Sequence, residues 1–332
     1  MPHHATPLKF LMPGWYALVM GLAGLSLAWH RAVPLLGDMA GAVSMLIGAG
    51  AAVVFAVLVV ATLIRGRRYP DAWAEDRKHP VRHTFIAALP IAVLLLATVG
   101  VALAGPHPWL QALWWMGALT QLFVTWWVLA RWWRPATQGG LQWAGVTPAL
   151  FIPIVGNVLV PLAGMPLAQA EWSAAQFGIG LLFWPLVTVL ILVRIAVQGM
   201  WPERLLPTAF IFIAPPAVVG LAALQLGAPA LLAWVSWGMA LFTLLWVGAL
   251  VPRIAKLPFG LPHWAMSFPL AAFAALTLRL AAPASPMATL GLALLALASL
   301  LMLGLVAGTV RGLRDGTLLA PEPVAAIQPA AA

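Results

Sequence analysis

The chain has 332 residues, 63% of them hydrophobic and only 8% charged, with a formal net charge of +9. A water-soluble domain of this size cannot cover its surface with so few charges, so lipid is the solvent for most of the chain. It has no cysteine, which excludes disulfides, thiolate metal sites and cysteine nucleophiles.

Backbone groups in lipid must be satisfied within the segment, and the apolar runs here are too long for barrel strands. The sequence therefore predicts an all-α integral membrane protein. The first run, 13–31, follows Lys9 and reads as an uncleaved signal-anchor behind a short cytoplasmic N-terminus, residues 1–12. Further spans are expected at 39–64, 82–104, 108–130, 145–165, 172–196, 207–227, 229–251, 261–282 and 286–310. Residues 311–332, ending in an Ala/Pro stretch, are expected to be a disordered cytoplasmic tail after the transmembrane domain of 13–310.

The basic residues test the count of ten. Lys9, Arg65, Arg67, Arg68, Arg77, Lys78, Arg82, Arg131, Arg134, Arg194, Arg204, Arg253, Lys256, Arg311 and Arg314 all fall on one side, and only Arg31 and Arg279 on the other. The positive-inside rule then puts both termini in the cytoplasm.

Proline carries a second pattern. Odd-numbered spans three, five, seven and nine hold Pro90, Pro153, Pro215 with Pro216, and Pro269. Among the even spans only the sixth does, with Pro185. Proline bends a helix and frees a carbonyl, which a membrane tolerates where protein or a water-filled cavity covers the break. The pattern suggests five hairpins, each with a kinked inner helix and a straighter outer one, with the ordinary frequency of proline in membrane helices as the plainer alternative.

Five stretches resemble a known family. They are Met20–Trp29, His79-Pro-Val-Arg82 with Phe85 and Pro90, Phe151–Asn157, Leu206–Pro216, and Trp264-Ala-Met-Ser-Phe-Pro-Leu270. In this order they are similar to the tellurite-resistance/dicarboxylate transporter group, which includes TehA and the slow-type anion channels of plant guard cells. The resemblance implies ten helices in five hairpins around a quasi-fivefold axis and odd helices lining a pore. It also implies a homotrimer with one pore per subunit and a phenylalanine of span nine plugging that pore. By its Trp-x-x-Ser-Phe-Pro context this residue is Phe268, with Pro269 as the adjoining kink. Val19 stands where TehA-like members carry proline, so span one is expected to be straighter.

The eight acids, Asp38, Asp71, Glu75, Asp76, Glu171, Glu203, Asp315 and Glu322, avoid span centres. His30, His79, His83, His107 and His263 lie near span ends. A pathway without titrating groups suits passive permeation of small anions better than coupled pumping. Arg31 and Arg279 either form an electropositive outer vestibule or snorkel to headgroups; Arg82 and Arg194 are candidates for the matching role on the cytoplasmic side, where the positive-inside rule already accounts for them. Ser26, Thr84, Thr98, Asn157, Thr208, Ser267 and Thr277 either supply pore polarity or bond their own helices. Trp109, Trp114, Trp115, Trp132 and Trp133 read as aromatic belts at the two ends of span four. Gly21 with Gly24, and Gly178 with Gly180, read as sites of close helix approach. No nucleotide loop, metal constellation or nucleophile–base set is visible, so no cofactor, nucleic-acid partner or enzymatic activity is expected. The reading is an inner-membrane anion channel; the alternative is a proton-linked C4-dicarboxylate carrier or a tellurite-efflux protein.

Overall fold

The computed structural model describes residues 7–321, so 322–332 of the tail expected to be disordered lie outside the described residues, while 311–314 continue the last helix. Helices make up the fold, and no strand occurs among the described residues. The principal helices are α1 (Ala17–Arg31), α2 (Asp38–Arg68), α3 (Ala88–Ala104), α4 (Pro108–Leu129) and α5 (Phe151–Gly164). They continue as α6 (Ala170–Gln198), α7 (Ala214–Gln225), α8 (Ala230–Gly248), α9 (Ser267–Leu280) and α10 (Pro286–Arg314).

Eight helical segments among the described residues are long and apolar enough to cross a membrane, which makes the protein multi-pass. The expected spans 13–31 and 145–165 correspond to shorter helices, α1 and Pro148–Gly164. The odd helices are short in their α portion because a 3₁₀ segment leads into each. These segments are Pro13–Tyr16, Arg82–Ala87, Pro148–Leu150, Glu203–Ile213 and Leu261–Met266. A 3₁₀ turn rises faster per residue than an α turn, so the six 3₁₀ and fourteen α residues of Leu261–Leu280 reach about 33 Å, the thickness of the hydrocarbon core.

Pro90, Pro153, Pro216 and Pro269 each occupy the third residue of the α-helix that follows such a segment. The expected kinks are therefore changes of helical pitch near the start of each α-helix. Proline is compatible there, because an N–H near a helix start has less intrahelical work to do. Val19 holds the same position in α1, and the 3₁₀ segment Pro13–Tyr16 precedes it all the same. The junction thus forms without proline, and α1 is not built differently from its counterparts. Proline inside an α-helix also occurs at Pro161 in α5, which the sequence pattern overlooked, and at Pro185 in α6.

Packing separates the odd from the even helices. Within the apolar windows of Arg82–Ala104, Glu203–Gln225 and Leu261–Leu280, 67%, 89% and 78% of residues are buried. For the even helices the share is 17% to 39%. Large apolar side chains such as Leu46, Phe123, Leu182, Phe242 and Leu300 stand exposed on those even helices, as lipid contact requires. Each odd helix packs against the even helix that follows it in sequence. Around the interior α1 meets α3, α3 meets α5, α5 meets α7, α7 meets α9, and α9 returns to α1.

Small residues set the close approaches. A Cβ on Gly21 would collide with Ser267, and one on Gly24 would lie 2.9 Å from the Phe268 ring, so both glycines admit α9 against α1. Gly180 does the same for Val158 of α5, whereas Gly178 faces open space and has no such role. Gly105 and Gly199, with φ of +80° and +72°, end α3 and α6 in the left-handed region that glycine adopts without strain. Trp114 is fully buried and its indole N–H donates to the Val160 carbonyl at 2.9 Å, so it is a packing residue of α4 on α5 rather than part of an aromatic belt. Trp109 and Trp133 are exposed as a belt would have them.

Gly156 and Gly178 make a matched test of the packing. A Cβ on Gly156 would collide with the Gln121 side chain, so Gly156→Ala is expected to lower stability by about 1–3 kcal/mol. Gly178→Ala is expected to be neutral or slightly stabilising, since helix propensity improves and nothing is displaced. Thermal unfolding of the two variants in detergent checks this.

Candidate anion pathway

A cavity of about 590 Å³ opens among the 3₁₀ segments, at the N-terminal ends of all five odd helices. Each inner helix contributes apolar wall: Met20, Phe85, Ile152, Ala214 and Phe268. Arg82, Arg194, Arg204 and Arg253 gather at its rim, with His79 and Glu203. Arg82 and Arg194, candidates from the sequence, are thus brought to one cavity. Arg204 and Arg253 belong to it too, and the sequence reading had assigned them only to a loop.

The His-Pro-Val-Arg motif has a local explanation. His79 Nδ1 accepts from the backbone N–H groups of Val81 and Arg82, both at 3.1 Å, and so caps the segment Arg82–Ala87. Behind Arg82 lies Asp76, fully buried in the short helix Pro70–Lys78, 3.4 Å from Arg82 Nη1 and 2.7 Å from Arg65 Nη1. Arg65 also donates from Nε to the Lys9 carbonyl at 2.9 Å, which ties the N-terminal segment to the end of α2. Burial is the larger effect on Asp76 and holds its carboxyl above the ordinary value, while Arg65 and then Arg82 pull the other way. Arg194 is buried at the end of α6 and donates to two backbone carbonyls, Trp143 at 3.0 Å and Gly199 at 2.8 Å. Arg253 pairs with Glu203 at 2.6 Å on the surface.

Phe268 is among the residues that line this cavity, only 6% exposed, backed by Gly24 and adjoining Pro269. The motif around it is anchored at both ends. Trp264 donates from its indole to Thr309 of α10 at 2.8 Å, and Ser267 donates to the Trp264 carbonyl at 2.6 Å. Beyond the ring, Ala271, Ala272, Ala274 and Ala275 are all buried.

The candidate polar residues lie elsewhere than on this cavity's wall. Ser26 and Ser44 exchange hydroxyl-to-carbonyl bonds of 2.7 and 2.8 Å between α1 and α2. Thr277 bonds the Phe273 carbonyl and accepts from Trp237 of α8. Thr84, Thr208 and Ser267 each bond the carbonyl three residues back in a 3₁₀ segment, and Thr98 the carbonyl four back in α3. Hydroxyl groups in an apolar setting find the nearest free carbonyl, and here that is the backbone. Asn157 donates to Thr125 at 2.8 Å and to the Pro153 carbonyl at 2.9 Å, and accepts from Gln176 at 3.1 Å. Gln121 and Thr125 donate to the same Pro153 carbonyl at 2.7 and 2.6 Å. Asn157 therefore joins α4, α5 and α6; its partners Thr125 and Gln176, and Gln121 beside it on the Pro153 carbonyl, lie on even helices and were not singled out in the sequence.

At the far ends of α1 and α9, Arg31 is half-buried and Arg279 exposed, and the two lie within electrostatic range of each other. Pro90, Pro153, Pro215 and Pro216 are buried among the helices, and of the junction prolines Pro269 borders the cavity.

Residues 11–310 match the family described as voltage-dependent anion channel, SLAC1. The chain belongs to that family. It is 28% identical to the tellurite resistance protein TehA homolog of Haemophilus influenzae, over 80% of this chain and 79% of that protein. An uncharacterised transporter of Methanocaldococcus jannaschii is 24% identical over 81% of this chain and 83% of its own. The S-type anion channel SLAH2 of Arabidopsis thaliana is 26% identical over 63% of this chain and 40% of its own. The resemblance read from five short stretches is the relationship these matches show, and the family is one of channels and transporters.

The buried ion pair gives a second prediction. Asp76→Asn leaves Arg65 charged and buried without its counter-ion, at an expected cost of about 3–5 kcal/mol. Replacing both, with Arg65→Met and Asp76→Leu, is expected to restore much of that stability, again read by thermal unfolding.

Proposed function

We propose that the protein is a passive channel for small inorganic anions, with one pore in each subunit occluded by Phe268. The observation that carries the reading is the cavity lined by four arginines and by residues of all five odd helices, Phe268 among them. On this reading the chain makes ten spans in five hairpins, quasi-fivefold, with α1, α3, α5, α7 and α9 around the pore. The closed sequence of contacts among those helices supports it, as does the greater burial of the odd spans against the even ones.

Electrostatics favours anions at this mouth. The odd segments all begin here, so five helix N-termini, each with a partial positive charge, converge on the rim that holds the four arginines. Further in, the wall is apolar, which provides entry without tight binding, as conduction demands. Arg31 and Arg279 form the corresponding vestibule at the other end. The arginine-rich face is cytoplasmic by the positive-inside rule and carries both termini, the membrane is the bacterial inner membrane, and the assembly is a homotrimer. A proton-linked dicarboxylate carrier is the competing reading, and its flux would saturate and follow a proton gradient.

Replacing Phe268 by Ala tests the gate. Chloride or nitrate conductance of the reconstituted variant is expected to rise about tenfold or more, the factor given by removing ~1.4 kcal/mol from a barrier. An unchanged conductance would contradict the assignment. Charge reversal of both Arg31 and Arg279 is expected to lower anion conductance at low salt, with the deficit vanishing near ~1 M salt, where the Debye length is about 3 Å.

A further inference from the structure

Arg194 is the unusual cation of the cavity. Arg82 faces Asp76 and Arg253 faces Glu203, but Arg194 has no carboxylate partner among the described residues. It is only 7% exposed, and its two bonds, from Nε and Nη1, go to backbone carbonyls. A buried guanidinium held by neutral acceptors keeps its full charge in a poor solvent, and its two bonds occupy two of its five N–H groups, leaving three to donate to a carboxylate. Around it the cavity is aromatic and apolar, with Phe85, Trp143, Trp201 and Trp264 on its wall.

Size points the same way. A volume of about 590 Å³ lies in the range that holds a small organic molecule, roughly 300–1,000 Å³, and far exceeds what one chloride or nitrate fills. An inorganic anion would satisfy the charge of Arg194 and leave the apolar wall facing water. A carboxylate with an aromatic body satisfies both.

We infer that the cavity is a binding site for an amphiphilic organic monocarboxylate, its carboxylate on Arg194 and its apolar body against the aromatic wall, where it plugs the pathway from the arginine-rich side. The blocking part rests on the channel reading above, whereas binding at Arg194 does not.

The probe is 2-naphthoate, with 2-naphthylmethanol as its uncharged counterpart, titrated calorimetrically into the full chain in detergent. The expected result is saturable binding of the acid, with the alcohol at least about tenfold weaker, as loss of a charge-assisted fork implies. Arg194→Gln is expected to weaken the acid by a similar factor, and Arg194→Lys by less. Comparison of acid with alcohol uses the unaltered protein, so it tests the carboxylate preference even if the variants do not fold, while the Arg194 variants assign that preference to this residue. Equal binding of acid and alcohol, or no saturable binding of either, overturns the inference. In bilayers, 2-naphthoate on the arginine-rich side is expected to block Phe268→Ala currents. Currents in that variant with no binding of the acid would sink this site and leave the channel standing. Arg194-dependent binding with no current would support the site and sink the channel.

Discussion

The structure depends on one constraint: lipid supplies no hydrogen-bond partner for the carbonyls and N–H groups that proline and a change of helical pitch set loose. Four odd helices place proline at the third residue after a 3₁₀ segment, and each of those junctions has to be covered by protein. That requirement places the odd helices inside and the even ones around them. Beside one such junction Gln121, Thr125 and Asn157, from two helices, all donate to the Pro153 carbonyl, so protein side chains meet the polar backbone there. Gly156 is part of the same arrangement, since only a glycine there lets Gln121 reach across α5.

The same geometry produces the site. Five segments that change pitch at one end draw their N-termini around a common space, and the aligned peptide dipoles make that space electropositive before any side chain is counted. Arginines complete it in different ways. Arg82 is steadied by buried Asp76, Arg253 is offset by Glu203 at the surface, and Arg194 is held by carbonyls that leave its charge uncompensated. Apolar residues of all five odd helices, the Phe268 ring among them, line the same cavity as these arginines. On the proposed reading, that combination attracts anions without holding them.

Much of this was legible in the sequence. Hydropathy, the one-sided arginines and lysines, and prolines in alternate spans carry the helical class and the pairing of inner with outer helices. The Trp-Ala-Met-Ser-Phe-Pro stretch singles out Phe268, which lies on the cavity's lining. What escaped has physical causes. Helical pitch is not visible in composition, so the junctions read as kinks, and Val19 read as a difference in α1 that the backbone does not show. Ser26, Asn157 and Thr277 were plausible pore residues because a side chain's polarity is visible in sequence and its partner is not; their partners are Ser44, Gln176 and Trp237 on outer helices. Trp114 read as an interfacial residue because its depth depends on Val160, forty-six residues away. Asp76 lay in a charged loop, and only folding shows that Arg65 and Arg82 close over it.

The central claim is that anions cross passively, without coupling to protons. The direct measurement is the reversal potential of current through the reconstituted protein across a potassium chloride gradient, with and without a superimposed proton gradient. The account predicts a reversal potential near the chloride equilibrium potential that the proton gradient leaves unmoved. A value near the potassium potential, or one that shifts with the proton gradient, would contradict it.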